Sequence, residues 1–290
     1  MFYEVNVPDP GKNKVAALIT LNPAASRRLI AKATVALPEM QAVMKKGWLI
    51  IARGITSGYI CEELFGITIE PKSTQGTGCV AKGATNGNTT PPPCTWHVMH
   101  DGKPVANADS NVEIFNFGPN DVFIKGANAV DPQGNAGIMA SSVKGGTWGM
   151  FTPVVTGRNS HLIITVGLEK LVPSVMDACN HSGLYYYKWS LGLPAKLTPV
   201  VTGKVLTEIQ ALGVLAGVKA YQICAGGVAG SEGAVTLSIE GDEAHVKKAF
   251  DLVNSIRKEP PVTWVDTFHV SDPEVFNYDP MAQLATLGGR

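Results

Sequence analysis

Gly47-Trp48-Leu49-Ile50-Ile51-Ala52 is an unbroken, largely apolar run of strand length. It leads through Arg53-Gly54-Ile55-Thr56-Ser57-Gly58 into a helical stretch, Tyr59 to Leu64, stopped by Gly66. Strand, small-residue turn and helix form the unit that opens a parallel α/β sheet, whose strands are apolar throughout because both faces are covered. Asp121 to Lys125 and His161 to Val166 read as further strands of this kind. Leu29, Ile30, Ala33 and Leu37 recur at helical spacing, with Ser26 as the expected N-cap. The expectation for residues 1–194 is an α/β domain built on a parallel, Rossmann-like sheet.

From about residue 195 the pattern changes. Leu197 to Thr202, Val218 to Cys224, Ala234 to Ile239 and Val262 to Val265 read as strands. Lys204 to Leu215 reads as a helix, and so does the stretch from an Asp242 N-cap to Arg257 with Val246, Ala249, Phe250, Val253 and Ile256 inward. A βαββαβ order predicts a ferredoxin-like α+β domain over residues 195–265. Residues 266–290, with Phe268, Phe276 and Tyr278, make an aromatic tail expected to pack on the body.

Composition narrows the function classes. Lys and Arg total 24 against 24 Asp and Glu, which lacks the basic excess of a nucleic-acid binder. No run approaches the ~18 apolar residues of a spanning helix, so no membrane partner is expected. Met1 to Asn6 lacks the basic and apolar regions of a secretory signal, which points to the cytoplasm. The five cysteines are scattered with no C-x-x-C pair, which fits reduced thiols in that compartment. Sheet edges and apolar surface leave homo-oligomerisation open.

Two loops could carry chemistry. In the first, Gly54, Thr56 and Ser57 stand at a helix N-terminus, where unpaired N–H groups and hydroxyls favour an anion and Arg53 adds charge. Helix capping would also explain them. No Walker lysine pattern and no G-x-G-x-x-G motif occurs, so neither glycine-rich nucleotide fingerprint is present. The second loop runs from Lys125 to Lys144. Gly126 permits close approach to a ligand, and Asn128, Asp131, Asn135 and Lys144 provide polar tips. Lys144, beside Gly145-Gly146-Thr147, is the expected charged contact. Residues 71–93, rich in Gly, Thr, Asn and Pro, read as a loop or covering flap. Cys79, Cys94, His97 and His100 look like metal ligands, but on a strand His97 and His100 would face opposite sides. No metal and no cofactor is expected. Glu232 reads as a solvated turn carboxylate.

The segments Ile50 to Leu64 and Asp121-Val122-Phe123-Ile124-Lys125-Gly126-Ala127-Asn128-Ala129-Val130-Asp131 are similar to the superfamily of ribose-5-phosphate isomerase, glucosamine-6-phosphate deaminase and the CoA transferases. Val166-Gly167-Leu168-Glu169-Lys170-Leu171-Val172-Pro173-Ser174 resembles a segment of lactate-utilisation proteins in that superfamily. The resemblance implies a Rossmann-like fold of isomerase/CoA-transferase type, and a ligand that is a sugar phosphate or CoA ester. Where the isomerases carry two aspartates, this chain has Lys125 and Asn128, and Ala129 replaces their glutamate. Asn128 cannot shuttle a proton between carbon atoms, and Asp131 could do so only if the loop moved it inward, so the isomerase activity itself does not carry over. The expected reacting-end residues are Lys144 and Asn128 of the second loop, with Asp131. Arg53, Gly54, Thr56, Ser57, Gly126, Gly145, Gly146 and Thr147 would bind the ligand. Two functions follow: an isomerase- or transferase-type enzyme, or a non-catalytic sensor or assembly subunit that kept the pocket and lost the acids.

Overall fold

The computed structural model describes residues 1–87, 94, 97–200 and 202–263. The first half contains β1 (Val15–Leu21), α1 (Pro23–Ala36), α2 (Pro38–Val43), β2 (Trp48–Ile51) and α3 (Ile55–Phe65). The hairpin β3 (Gly78–Ala81) and β4 (Ala84–Gly87) follows, then β5 (Val98–His100), β6 (Lys103–Pro104) and the short α4 (Ser110–Glu113). The centre holds β7 (Val122–Gly126), β8 (Ala129–Val130), β9 (Ala136–Ala140), α5 (Gly146–Gly157), β10 (His161–Thr165) and α6 (Val175–Asn180). The order closes with β11 (Lys196–Val200), β12 (Lys204–Leu206), α7 (Glu208–Ala216), β13 (Lys219–Ala225), β14 (Val235–Gly241) and α8 (Glu243–Ile256).

The fold is mixed α/β around a six-stranded sheet of order β12-β10-β7-β2-β5-β6. β2, β7, β10 and β12 run parallel, while β5 and β6 add an antiparallel edge. That edge turns at Asp101-Gly102, both at positive φ, as a tight hairpin requires. Val122, Phe123 and Ile124 are fully buried because both faces of β7 are covered. One face supplies Leu49, Ile51, Val122, Ile124 and Ile163 to a core shared with α1, α3, α7, α8 and the small sheet. The other supplies Ile50, Phe123, Leu162 and Ile164 to a core closed by Trp148, Phe151 and Val155 of α5.

Several expectations change at this level. Asn22, not Ser26, caps α1, and Pro23 follows it at the first helical position. The stretch after Lys144, in which the sequence pattern marks no helix, forms α5. Its Trp148, Phe151 and Val155 recur at helical spacing, and their burial outweighs the weak propensities of Gly, Thr and Pro153. The strand expected at 197–202 is β11 and pairs with β9 in a separate three-stranded sheet. The helix expected at 204–215 splits: Lys204–Leu206 pairs in parallel with β10, and only after Thr207, in a full capping box with Gln210, does α7 begin. The small antiparallel sheet is β1-β14-β13, so its third strand comes from the N-terminal region. Phe250, expected inward on α8, is exposed. Residues 264–290, including the expected tail, lie outside the described residues.

Among the described residues no helix is long and apolar enough to cross a membrane. Phe151→Ala should cost about 3–5 kcal/mol, since Phe151 is buried against Phe123 with ring centroids 5.2 Å apart. Phe250→Ala should cost under about 0.5 kcal/mol in the same urea-unfolding measurement.

Candidate functional site

The carboxyl ends of β2, β7, β10 and β12 converge on one edge of the large sheet, where open α/β folds place their ligands. The first candidate loop lies at the β2 end. α3 begins at Ile55, one turn earlier than the sequence indicates, so Thr56 and Ser57 are helical residues and both are buried. Arg53 is drawn across the helix start, where Nη2 donates to the carbonyls of Thr74 at 3.1 Å and Gly76 at 3.4 Å. A side chain at Gly58 would meet Gln75 at 3.4 Å, and the Gln75 amide in turn accepts from the Cys94 N–H. Residues 72–76 thus roof this corner. Thr56 and Ser57 are enclosed while Gly54 is half-buried, and Ser57 Oγ has no hydrogen-bond partner.

The second loop is more open. Lys125 lies on β7 beside Ile164 of β10, on the face that carries Phe123. Its ammonium has no hydrogen-bond or ion-pair partner among the described residues, and burial pushes its pKa down to about 8. α5 leaves this same edge and packs back over the same face. From the Phe123–Phe151 contact, two strand residues toward the edge (about 7 Å) reach Lys125. Four helix residues the same way (about 6 Å) reach Thr147. Lys125 therefore lies level with the first turn of α5. Gly145 and Gly146, at φ +73° and +61°, turn the chain into this helix, and no side chain caps it. Its first-turn N–H groups and positive dipole end thus lie level with a lysine without a counter-ion, on the same face of the sheet.

Of the other expected residues, Lys144 is exposed one position before that turn. Asn128 is exposed, and its Oδ1 accepts the Met139 N–H at 2.9 Å, which ties it to β9. Gly126 faces Thr165 across the β7–β10 pair. Asp131 is a structural anchor. It is buried, and its carboxylate accepts from the N–H groups of Gln133, Asn135 and Val175 and from Asn135 Nδ2, which holds its pKa low despite burial. A carboxylate bonded in this way has no capacity left for proton transfer. Among the described residues no His, Cys, Asp and Glu group could hold a metal. Cys94 is buried and bonds the Cys61 thiol, while His100 stacks on Trp48 at 4.3 Å.

The residues after β10 and β12 add an ionisable cluster, fully buried at Glu208 and partly buried elsewhere, that the sequence pattern does not reveal. Lys170 Nζ donates to the Ala127 carbonyl at 3.1 Å, and burial lowers its pKa. Arg27 pairs with Glu169 at 2.7 Å. Glu208, fully buried at the start of α7, accepts the Leu168 N–H at 2.9 Å through Oε2. Its Oε1 has no bond within hydrogen-bonding geometry, and burial raises its pKa. Thr165 Oγ1 is likewise buried without a partner. The one local sign of it in the sequence is Gly167, where a side chain would stand 3.2 Å from Glu208 Oε1.

No family model, curated protein or solved structure matches this chain.

Glu208 gives a pH-dependent test. The folded state keeps its proton above the pH at which an unfolded glutamate releases it, so folding binds more protons and stability falls as pH rises beyond about 4.3. Glu208→Gln keeps an acceptor for Leu168 and removes that fall. Thermal denaturation should show the variant close to wild type at pH 5 and more stable by about 3 °C at pH 7.5. A variant less stable at both pH values would show that the carboxylate is favourable as a charge.

Proposed function

We propose that this protein is an enzyme that binds a small anionic metabolite, a phosphorylated sugar or an acyl-CoA, and acts on it as an isomerase or transferase. The observation that carries the reading is Lys125, a lysine without a counter-ion, level with an uncapped helix start at the sheet's carboxyl edge. Below about pH 8 the ammonium and the first-turn N–H groups of α5 would together hold a phosphate or carboxylate. Gly145, Gly146 and Thr147 would let the anion approach the backbone, and Lys144 would add charge from the rim. The anion is assigned to α5, not to the enclosed start of α3.

The same lysine supports chemistry. An amine titrating near neutrality supplies a general base or a nucleophile without help from a carboxylate. This removes the need for the aspartates that the resembling isomerases carry, and Lys125 takes the reacting role in place of Asp131. The second reading, a sensor that binds without turnover, is favoured by Asp131, whose carboxylate is fully committed to backbone and Asn135 bonds.

The fold reading that accompanies this function is a Rossmann-like sheet of isomerase/CoA-transferase type, supported by the parallel β12-β10-β7-β2 core. The small sheet corresponds to three strands of a ferredoxin-like plan, with β1 in the first-strand position beside β14.

Lys125→Met separates a binding role from a structural one. Because its folded pKa lies below the unfolded value, Lys125 lowers stability at neutral pH, and wild-type stability should rise from about pH 8 to 10 as the unfolded state alone keeps the proton. The variant should be at least as stable as wild type at pH 7. In calorimetric titrations it should bind ribose 5-phosphate and CoA at least about tenfold more weakly. Wild-type affinity should fall as pH rises through about 8. Turnover of either compound supports the enzyme and binding without turnover supports the sensor. No binding of either compound removes both readings.

A further inference from the structure

Thr165 Oγ1 and Glu208 Oε1 are buried side-chain oxygens without a hydrogen-bond partner. Such atoms cost stability and call for an explanation, a bound ligand among them. The two share one end of the sheet. Thr165 ends β10 and pairs with Leu206, which ends β12, and Glu208 follows two residues later. Ile163 belongs to the core beneath α1 and α7, and by strand alternation Thr165 points to the same side. Glu208 opens α7 on that side. Lys125 lies on the other side, with Phe123, so this place is separate from the start of α5.

Charged groups converge here. A side chain at Gly167 would stand 3.2 Å from Glu208 Oε1 and 4.0 Å from Glu169 Oε1, so both carboxyl groups face one point. Arg27 Nη2 holds that same Glu169 oxygen at 2.7 Å. Lys170 lies in the fields of Arg27, Glu169 and Glu208. A side chain at Gly233 would stand 3.4 Å from Glu169 Oε2. Glycine at both positions leaves the Glu169 carboxylate room to swing off Arg27. The Arg27 and Glu169 side chains are 18% and 16% exposed, whereas Glu208 has no exposed surface, so a ligand would approach past the ion pair.

The charge balance selects the ligand. Burial favours the uncharged form of Glu208, which leaves Arg27 and Lys170 against Glu169 alone. One surplus positive charge suits a monoanion. It disfavours a metal cation, and it would leave a phosphate dianion half neutralised. The donors match two acceptor oxygens, with a guanidinium fork on one side and the Glu208 and Thr165 hydroxyls on the other. We propose that Arg27, Thr165 and Glu208 form a second binding site, for the carboxylate of a small monocarboxylic acid that takes the place of Glu169 on Arg27.

The test uses the full chain carrying Lys125→Met, which removes the anion site at α5. Titration calorimetry and thermal denaturation would compare sodium acetate with sodium chloride at equal ionic strength. Acetate should bind and raise the melting temperature, and affinity should fall as pH rises, because Glu208 must keep its proton beside a second carboxylate. Thr165→Val should be no less stable than its parent without acetate, since the hydroxyl has no partner, and should bind acetate about tenfold more weakly. Arg27→Gln should weaken acetate by a similar factor. Glu208→Gln keeps a donor and should bind acetate without the fall at high pH. Should acetate act on wild type but not on Lys125→Met, the carboxylate belongs to α5, and the second site fails while the first stands. Acetate binding that survives both Thr165→Val and Arg27→Gln overturns the proposal. So does a loss of stability in Thr165→Val with no acetate effect in any chain, which would assign these oxygens to a buried water. Inorganic phosphate binding in place of acetate, and weakened by Thr165→Val, would overturn the carboxylate assignment.

Discussion

The arrangement of the large sheet depends on β7 being buried on both faces. Val122, Phe123 and Ile124 pair in parallel with β2 on one side and β10 on the other, and each is fully enclosed. A strand in this position tolerates apolar side chains and little else. Lys125 continues the same strand with a charged group, and nothing among the described residues neutralises it. An apolar residue there would extend the core at no electrostatic cost. A lysine that stays unpaired lowers stability, and such a cost is characteristic of residues retained for binding or chemistry.

The contrast between the two lysines at this edge sharpens the point. Lys170 also has its pKa lowered by burial, but it bonds the Ala127 carbonyl and lies within the fields of Glu169, Arg27 and Glu208. That cluster joins the loop after β10 to the starts of α1 and α7, and its carboxylate, Glu208, has no exposed surface. Lys125 has no such partners and lies near a helix start without a cap. The same physical effect, desolvation of an ammonium, thus acts on a hydrogen-bonded lysine at one position and on an unbonded one at the other.

Much of the fold was legible where burial and periodicity agree. Gly47 to Ala52, Asp121 to Lys125 and His161 to Val166 are strands because each is too apolar to face water, and α8 is a helix because Val246, Ala249, Val253 and Ile256 repeat at its period. Two kinds of feature were not legible. α5 is composed of residues with poor helix propensity, and only the surface buried by Trp148, Phe151 and Val155 stabilises it. The pairings of β1 with β14 and of β11 with β9 are long-range contacts, and a strand's pattern shows that one face is buried without naming its partner.

The site followed the same division. Gly145 and Gly146 were legible as a turn with Lys144 beside it, but the helix that Thr147 begins was not, so the sequence offered the glycines without the helix start. For Thr56 and Ser57 the sequence could not show their burial, because a strand–turn–helix start looks the same whether it opens to solvent or lies beneath a later segment. The Arg53 bonds to Thr74 and Gly76 decide between these, and they span about twenty residues of chain that carry no periodic signal. What a sequence reveals about an anion site is therefore the supply of donors. Whether those donors are free depends on what the rest of the chain brings over them, and at this edge it roofs α3 and leaves the start of α5 without a cap.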